Sequence, residues 1–318
     1  MTDYKDIFKE IKLTDKTWVD KLLALSDYRA TEYNFSVLYI WRDIYKTKIA
    51  EYKEFLLIRS GSADTPEGYT YLFPAGRGDI KEALVFMIED ARQNNVPFRM
   101  VSVLEEQRAV IEELFPNRFS YTPVRNSFDY IYTAKDLITL KGKKYQAKRN
   151  FVSRFKANNN WQYEEVTPEN IYECAQMNEL WCKQYGCSQD TSLFQETCSV
   201  KNAIADFEAL ALKGGLLRVN GNVVAFSLGE KMNSDTFLVH IEKAFANIQG
   251  AYPAISQMFL QHQILKEYSP DLELTNEQIG FSYVNREDDA GDMGLRNAKM
   301  QYHPVFMIEK YIVADLGN

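Results

Sequence analysis

The sequence has no apolar run approaching the roughly 20 residues that a membrane-spanning helix needs. It also opens without the apolar stretch of a secretory signal, so we expect a cytoplasmic protein with no integral membrane segment. Only 3 histidines occur, and no two of them have the spacing of metal ligands. The Gly-x-Ser-x-Gly turn that carries a nucleophilic serine is absent. These absences predict neither a metal site nor a covalent nucleophile.

Cysteine is scarce, and positive charge is in deficit. The 4 cysteines are Cys174, Cys182, Cys187 and Cys198, and none forms a C-x-x-C pair. In a cytoplasmic chain we therefore expect them to be reduced structural thiols. Acidic residues outnumber basic ones by 44 to 37, which gives a net charge of −7. This balance argues against binding to duplex DNA, because that binding needs a positively charged face.

A chain of 318 residues with 46% hydrophobic content is long enough for two domains with packed cores. In the first half, apolar spacing and turn residues predict a mixture of helices and strands. Helices are expected up to about Tyr45 and at Asp79–Gln93 and Glu105–Leu114, and strands at Glu54–Ser60, Tyr69–Pro74, Phe98–Val103, Phe119–Pro123 and Ser127–Thr133.

The second half carries stronger local signals. The run Thr167-Pro168-Glu169 is typical of a helix start, and Asn220-Gly221 between apolar runs predicts a β-hairpin. Further strands are expected at Thr236–Ala244, Leu272–Ile279 and Val305–Ala314, and helices at about Val200–Leu212, from Tyr252 to about Tyr268 and at Gly294–Tyr302. The resulting order of elements resembles that of the acyl-CoA-type N-acyltransferase fold, usually called GNAT.

A basic island interrupts this acidic chain. Residues Lys141–Lys156 hold seven Lys or Arg residues and no acid. We predict a helix from about Lys143 to Phe155 that places Lys144 and Lys148 on its apolar side. Ammonium groups beside a buried stripe line a cleft or reach its edge, so these lysines and Arg149 are candidates for binding a phosphate-rich substrate. The alternative is a solvated helix whose lysines pair with acids elsewhere.

Two acid–base candidates lie on the predicted strand Thr236–Ala244. Side chains alternate along a strand, so His240 and Glu242 are expected on one face, with Glu230 of the neighbouring strand close by. Acyl transfer to an amine needs a base that takes up a proton, and His240 and Glu242 are candidate catalytic residues for it. The alternative is a His–Glu pair that only stiffens the sheet.

A third cluster of charged and polar residues lies in a glycine-containing loop that leads into a short helix. Asp288 is a candidate catalytic residue that binds a substrate amino group, and Asn285 is a candidate substrate-binding residue. Arg296 and Lys299 are further candidate substrate-binding residues, because they are three residues apart and share a helix face. Arg296 is suited to a carboxylate or phosphate. The alternative is a solvated loop.

Three segments carry a resemblance to a known family: residues 127–137 with 140–150, residues 239–252, and residues 285–302. They resemble a bacterial family of unknown function that is similar to the C-terminal domain of phosphatidylglycerol lysyltransferases. The resemblance implies an α/β (α+β) protein of two tandem GNAT-like domains, 1–138 and 139–318, each a mixed, largely antiparallel sheet flanked by helices. It also implies acyl or aminoacyl transfer. Fem-type peptidoglycan aminoacyltransferases share this architecture and use aminoacyl-tRNA.

The identity of the donor depends on the turn after the long strand. In acetyltransferases this turn reads Q/R-x-x-G-x-G/A, and its backbone amides approach a pyrophosphate. Here it reads Asn247–Tyr252, so Gln249, Gly250 and Ala251 are the candidate cofactor-binding residues, and the bulky Tyr252 crowds that approach.

The resemblance therefore favours an aminoacyl-tRNA donor over acetyl-CoA or another acyl-CoA, with Tyr252 among the substrate-binding residues. The expected partners are a tRNA acceptor end and a small-molecule or peptide acceptor that offers an amine or a hydroxyl. A non-catalytic protein that binds a phosphorylated ligand is the third possibility.

Overall fold

The computed structural model describes residues 6–265 and 278–317. None of the helices in these residues has the length and apolarity to cross a membrane. The helices are α1 Lys16–Ser26, α2 Phe35–Ile40, α3 Arg42–Tyr45, α4 Ile80–Gln93, α5 Glu105–Leu114, α6 Ala134–Thr139, α7 Gln146–Asn158, α8 Ile171–Tyr185, α9 Thr191–Ala205, α10 Ala251–Ile264 and α11 Met293–Met300. The strands are β1 Lys9–Glu10, β2 Lys48–Tyr52, β3 Phe55–Gly61, β4 Tyr69–Tyr71, β5 Ala75–Gly76, β6 Arg99–Val103, β7 Phe119–Pro123, β8 Asp129–Thr133, β9 Trp161–Glu165, β10 Lys213–Val219, β11 Asn222–Lys231, β12 Thr236–Ala244, β13 Tyr283–Asn285, β14 Phe306–Ile308 and β15 Tyr311–Asp315.

The chain forms two compact units. The first contains residues 1–129, 288–292 and 307–318, and the second contains residues 130–287 and 293–306. Residues 130–138 thus pack with the second unit, and the C-terminal segment packs with the first. That the two GNAT-like domains comprise residues 1–138 and 139–318 stays a prediction.

The first unit is built on a sheet with strand order β1-β2-β3-β4-β6-β15-β7, and β5 also pairs with β3. The C-terminal strand β15 is antiparallel to both of its neighbours. A buried ion pair lies in this unit: Arg59 donates to both carboxylate oxygens of Asp90 at 2.9 Å, and Tyr71 also donates to Asp90. Burial of a charged pair is tolerated because each charge is compensated and hydrogen-bonded.

In the second unit the strands follow the order β8-β13-β12-β11-β10-β9. The predicted hairpin is present as β10 and β11, where Val219 pairs with Asn222 across a two-residue turn. Both turn residues, Asn220 and Gly221, have positive φ, as the primed hairpin turns require. Strand β12 continues this antiparallel set, and β13 joins it in parallel.

Several predicted elements differ from those of the structure. The helix predicted at about Val200–Leu212 is α9, which begins earlier because the side chain of Asp190 accepts the N–H of Leu193. Strand β2 was not predicted, since the Lys53-Glu54 turn that joins it to β3 has no glycine or asparagine. Of the strand predicted at Leu272–Ile279, residues 272–277 lie outside the described part of the chain.

The last predicted strand, Val305–Ala314, is two strands, β14 and β15. Lys310 lies between them and is buried, and its ammonium is 2.7 Å from carboxylate oxygens of Asp129 and Glu32. The two carboxylates compensate the buried charge. A charged residue held in this way interrupts the apolar alternation, which explains the break.

The cysteines also differ from expectation. Cys182 and Cys187 form a disulfide across five residues, at the end of α8. The prediction of reduced thiols is therefore wrong for this pair, whereas Cys174 and Cys198 are free. The pairing was not predictable from the cysteine spacing, because it depends on the turn at Gly186, which has a left-handed φ of 69°.

Candidate functional site

The second unit contains a split between neighbouring strands. Strand β13 pairs with β12 only from Thr236 to Leu238. Beyond that point the backbone of residues 286 and 287 hydrogen-bonds to Tyr130 of β8, while β12 continues along β11. The side chains of residues 286 and 287 contact side chains of β12. Polar groups of several elements therefore meet at this split.

A β-bulge in β12 places His240 at this split. Leu228 and Gly229 are adjacent on β11, but their partners on β12 are residues 241 and 239, so His240 is an extra residue without a partner on β11. A Cβ at Gly229 would collide with the carbonyl oxygen of Leu238, so the close approach of the two strands here requires glycine.

The bulge changes the orientation that simple alternation predicts. An extra residue shifts the alternation by one position. Glu242 therefore shares a face with Phe237, whose ring packs against Phe259 of α10. His240 instead contacts Glu230, on the opposite face. The expectation that His240 and Glu242 lie on one face is wrong because the strand is not regular.

His240 is held between two carboxylates. Its Nε2 lies 2.9 Å from Glu230 Oε1 and its Nδ1 lies 3.2 Å from Glu287 Oε1, and the side chain is only 1% exposed. Burial alone would lower the pKa of His240, but the hydrogen bonds to Glu230 and Glu287 outweigh it and raise the pKa to about 9. His240 is thus protonated at neutral pH with both ring nitrogens donating. This geometry favours the alternative in which the His–Glu contacts stiffen the sheet.

The raised pKa of His240 predicts a pH dependence of stability. The folded pKa of about 9 lies above the ordinary 6.5. The stabilisation is therefore complete below about pH 6.5 and is lost as pH rises through 9. We expect about 3 kcal/mol of unfolding free energy to be lost over this range, at 1.4 kcal/mol for each pKa unit.

Urea unfolding at several pH values measures this loss. His240→Gln should flatten the pH profile, while His303→Gln, at an exposed position, should leave its slope unchanged. Equal slopes for wild type and His240→Gln would contradict the assignment of the raised pKa to His240.

Arg286 joins Glu242 on the other face of the split. Its Nη2 donates to Glu242 Oε1 at 2.7 Å, and its guanidinium carbon lies 4.8 Å from the ring centre of Tyr302 and 5.8 Å from that of Tyr132. Burial would lower the pKa of Arg286, but Glu242, the two tyrosines and a hydrogen bond to the Tyr302 side chain raise it, so the group remains a cation. Its other terminal nitrogen, Nη1, is buried and has no hydrogen-bond partner within residues 6–265 and 278–317.

Lys148 approaches the same tyrosine from α7. Its ammonium lies 4.3 Å from the ring centre of Tyr302 and 3.1 Å from Gln301 Oε1. Lys148 shares a helix stripe with Val152 and Phe155, which are buried, and this spacing turns its side chain toward the protein. The structure thus brings one predicted lysine of the basic island together with the predicted Glu242.

The other predicted residues of the basic island are engaged elsewhere. Lys144 lies in a short 3-10 turn before α7, is exposed, and pairs with Asp136 at 2.9 Å. Arg149 donates to the carbonyl oxygens of Leu140 and Gly142. Because the α-helix begins only at Gln146, Lys144 does not share the stripe of Lys148. Substrate contacts by Lys144 and Arg149 stay predictions.

The predicted cofactor turn has a packing role in the structure. Gly250 has φ 85°, and a Cβ there would collide with the carbonyl oxygen of Phe151 on α7. The N–H of Ala251 donates to the carbonyl of Ile248 at 3.1 Å. Gln249 is exposed, and burial raises the pKa of the half-buried Tyr252 to about 12. Cofactor binding by Gln249, Gly250 and Ala251 stays a prediction.

The third predicted cluster is divided. Asn285 is buried and accepts the N–H of Glu287 at 2.7 Å, so it shapes the turn that presents Glu287 to His240. Lys299 donates to the carbonyl oxygen of Arg286 at 2.5 Å, and Arg296 is half-buried on α11. Asp288 belongs to the first compact unit, whereas the other three belong to the second.

Sequence reasoning assigned no role to Arg286, Glu287, Tyr302 and Tyr132. Arg286 and Glu287 lie between Asn285 and Asp288, which were chosen as candidates. The strand split distinguishes these two residues, because there the side chain of Arg286 contacts Glu242 and that of Glu287 contacts His240. That split depends on pairing between distant segments and is not visible as a local pattern.

Comparison with known proteins identifies the family. Residues 23–314 match the family described as phosphatidylglycerol lysyltransferase, C-terminal. A crystal structure of a conserved protein of unknown function from Bacteroides thetaiotaomicron is 39% identical, covers 97% of this chain and 99% of that chain, and has a TM-score of 0.88. An uncharacterized protein of Mycoplasmoides gallisepticum is 24% identical over 194 residues, 59% of this chain; the chain spans 56% of that curated relative.

More distant structures agree in fold. L-PGS from Bacillus licheniformis is 14% identical, covers 99% of this chain and 95% of its own, and has a TM-score of 0.67. FemX is 10% identical, covers 96% of each chain, and has a TM-score of 0.54. The predicted fold class, an α/β protein with two mixed sheets flanked by helices in the GNAT-like tandem arrangement, is confirmed. Since the match extends over residues 23–314, the chain belongs to the phosphatidylglycerol lysyltransferase C-terminal family, which is of acyltransferase type.

Proposed function

We propose that this protein transfers an aminoacyl group from an aminoacyl-tRNA to an amine or hydroxyl of a small-molecule or peptide acceptor. One observation carries the proposal: Lys148 of the basic island and the Arg286–Glu242 pair of the strand split meet at the ring of Tyr302. A cationic site next to a carboxylate suits a donor that is anionic and an acceptor that loses a proton.

The reaction follows from these groups. The acceptor nitrogen or oxygen attacks the carbonyl carbon of the aminoacyl ester and forms the new amide or ester bond. The ester bond to the ribose breaks, and the ribose oxygen receives a proton in place of the acyl group. Glu242 takes the proton that the acceptor loses, and this proton passes to the ribose oxygen. His240, whose two nitrogens are occupied, positions Glu287 and so supports the segment that carries Arg286.

The donor turn supports aminoacyl-tRNA over an acyl-CoA. Gly250 lies against the backbone of α7, and the N–H of Ala251 donates within its own turn. A pyrophosphate bound in the manner of acetyltransferases would need amides of this turn to point at the ligand. Stabilisation by coenzyme A, but not by aminoacyl-tRNA, in a thermal-shift experiment would favour the acetyl-CoA alternative.

Lys148 gives the first test of the proposal. We expect Lys148→Ala to weaken binding of total tRNA charged with labelled amino acids at least about 10-fold, since a charge-assisted contact contributes about 1.5–3 kcal/mol. A gel-shift titration at fixed salt concentration measures this, because phosphate binding depends strongly on salt. Lys144→Ala should have a smaller effect, since Lys144 is exposed and paired with Asp136.

Arg154→Ala is the matched control, because Arg154 lies on the same helix at an exposed position. Equal losses for Lys148→Ala and Arg154→Ala would indicate only general attraction to RNA and would contradict the proposed site. Binding without transfer to any offered acceptor would favour the non-catalytic alternative. The cytoplasmic location expected from the sequence stays a prediction.

A further inference from the structure

Arg286 has a hydrogen-bonding position that the protein does not use. Its Nη2 is satisfied by Glu242, but Nη1 is buried without a hydrogen-bond partner in the described part of the chain. The side chain as a whole is 11% exposed. Buried donors of a guanidinium are nearly always paired, because leaving one unpaired is costly. The unpaired Nη1 is therefore free to donate a hydrogen bond to a group that enters the site.

A second cation lies on the same ring. The Lys148 ammonium and the Arg286 guanidinium carbon are 4.3 and 4.8 Å from the ring centre of Tyr302. Burial lowers the pKa of Lys148, Arg286 lowers it further, and Glu242 offsets part of this shift. Lys148 and Arg286 carry two positive charges and Glu242 carries one negative charge, so the three side chains have a net charge of +1. A bound anion would relieve the repulsion between the cations and complete the pairing of Arg286.

We propose that Arg286 Nη1 and Lys148 Nζ together bind one phosphate group next to Tyr302. Because Nη2 of Arg286 donates to Glu242, only Nη1 is left to donate a single hydrogen bond to the phosphate. Lys148 contributes a point charge from a second direction. A tetrahedral phosphate accepts hydrogen bonds from two such directions. That this phosphate belongs to the terminal phosphodiester of a tRNA rests on the proposed function; that the pair binds phosphate does not.

The experiment measures binding of three phosphate compounds by isothermal titration calorimetry at constant ionic strength. They are an RNA hairpin with a CCA end that carries no amino acid, coenzyme A, and inorganic pyrophosphate. We expect all phosphate binding at this site to weaken about 10-fold in Lys148→Gln and in Arg286→Lys, and to change less than about twofold in Arg154→Gln. Preference for the RNA hairpin over coenzyme A identifies the phosphodiester as the source.

Arg286→Lys keeps the charge but loses the geometry of the second nitrogen, and circular dichroism checks that it folds. Lys148→Gln keeps the proposal testable if Arg286→Lys does not fold, since Lys148 is only half-buried. Unchanged phosphate affinity in Lys148→Gln, with aminoacyl transfer observed, would overturn the phosphate site and leave the proposed function standing. Weakened phosphate binding in both variants, with no transfer by wild type, would support the site and remove the proposed function.

Discussion

Glu242→Gln is expected to reduce aminoacyl transfer about 100-fold or more while donor binding changes by less than about threefold, because a positioned base contributes roughly 10²–10⁴ in rate. The glutamine amide is close in shape to the carboxylate, and its oxygen can still accept a hydrogen bond from Arg286 Nη2. In the wild-type protein this nitrogen lies 2.7 Å from Glu242 Oε1. What it loses is the ability to take the proton of the acceptor. Single-turnover transfer from labelled aminoacyl-tRNA measures the rate, and a gel shift measures binding.

Glu164→Gln is the matched control for this prediction. Glu164 is also a carboxylate paired with an arginine on a strand of the second unit, at 2.9 Å from Arg218 Nε. It lies on β9, away from the strand split. We expect transfer by Glu164→Gln to stay close to that of wild type. Full transfer activity in Glu242→Gln would show that Glu242 is not the base.

Asp90→Ala is expected to lower the free energy of unfolding of the first unit by about 3–5 kcal/mol, the range measured when one partner of a buried ion pair is removed. Asp90 and Arg59 are 0% and 1% exposed. When the Asp90 carboxylate is removed, the Arg59 guanidinium keeps only its 2.9 Å contact with Asp6, whose carboxylate is partly exposed. The Tyr71 hydroxyl loses the acceptor of its hydrogen bond. Urea unfolding followed by circular dichroism measures the loss.

The neighbouring residue Glu89 provides the control, since it lies on the same helix and also pairs with an arginine, Arg92, but at the surface. Exposed pairs contribute little, so Glu89→Ala should unfold at nearly the same urea concentration as wild type. Similar losses for Asp90→Ala and Glu89→Ala would contradict the buried role of the Arg59–Asp90 pair.

Elements with strong local signals were predictable from the sequence. The Asn220-Gly221 turn fixes the β10–β11 hairpin because both residues adopt positive φ, and α5 has the predicted bounds Glu105–Leu114. Elements that depend on distant pairing were not predictable. The C-terminal strand β15 pairs with β6 and β7 of the first unit, and no local pattern indicates which sheet it joins.

The candidate site divides in the same way. Lys148 was predictable because its spacing from Val152 and Phe155 places it on the buried side of a helix. Arg286 was not assigned a role, because its partner Glu242 is 44 residues away and the two meet only where β12 and β13 separate. The bulge at His240 likewise arises from the register between β11 and β12, so alternation along one strand predicted the wrong face.

The central claim is that Lys148 and Arg286 act on one anionic group of the donor. A double-mutant cycle on donor affinity tests it with wild type, Lys148→Gln, Arg286→Lys and the double variant. We predict that the double variant loses less binding free energy than the sum of the single losses, by about 0.5–3 kcal/mol, because both side chains share one partner. Strictly additive losses, as expected for a cycle of Arg154→Gln with Arg286→Lys, would contradict the claim.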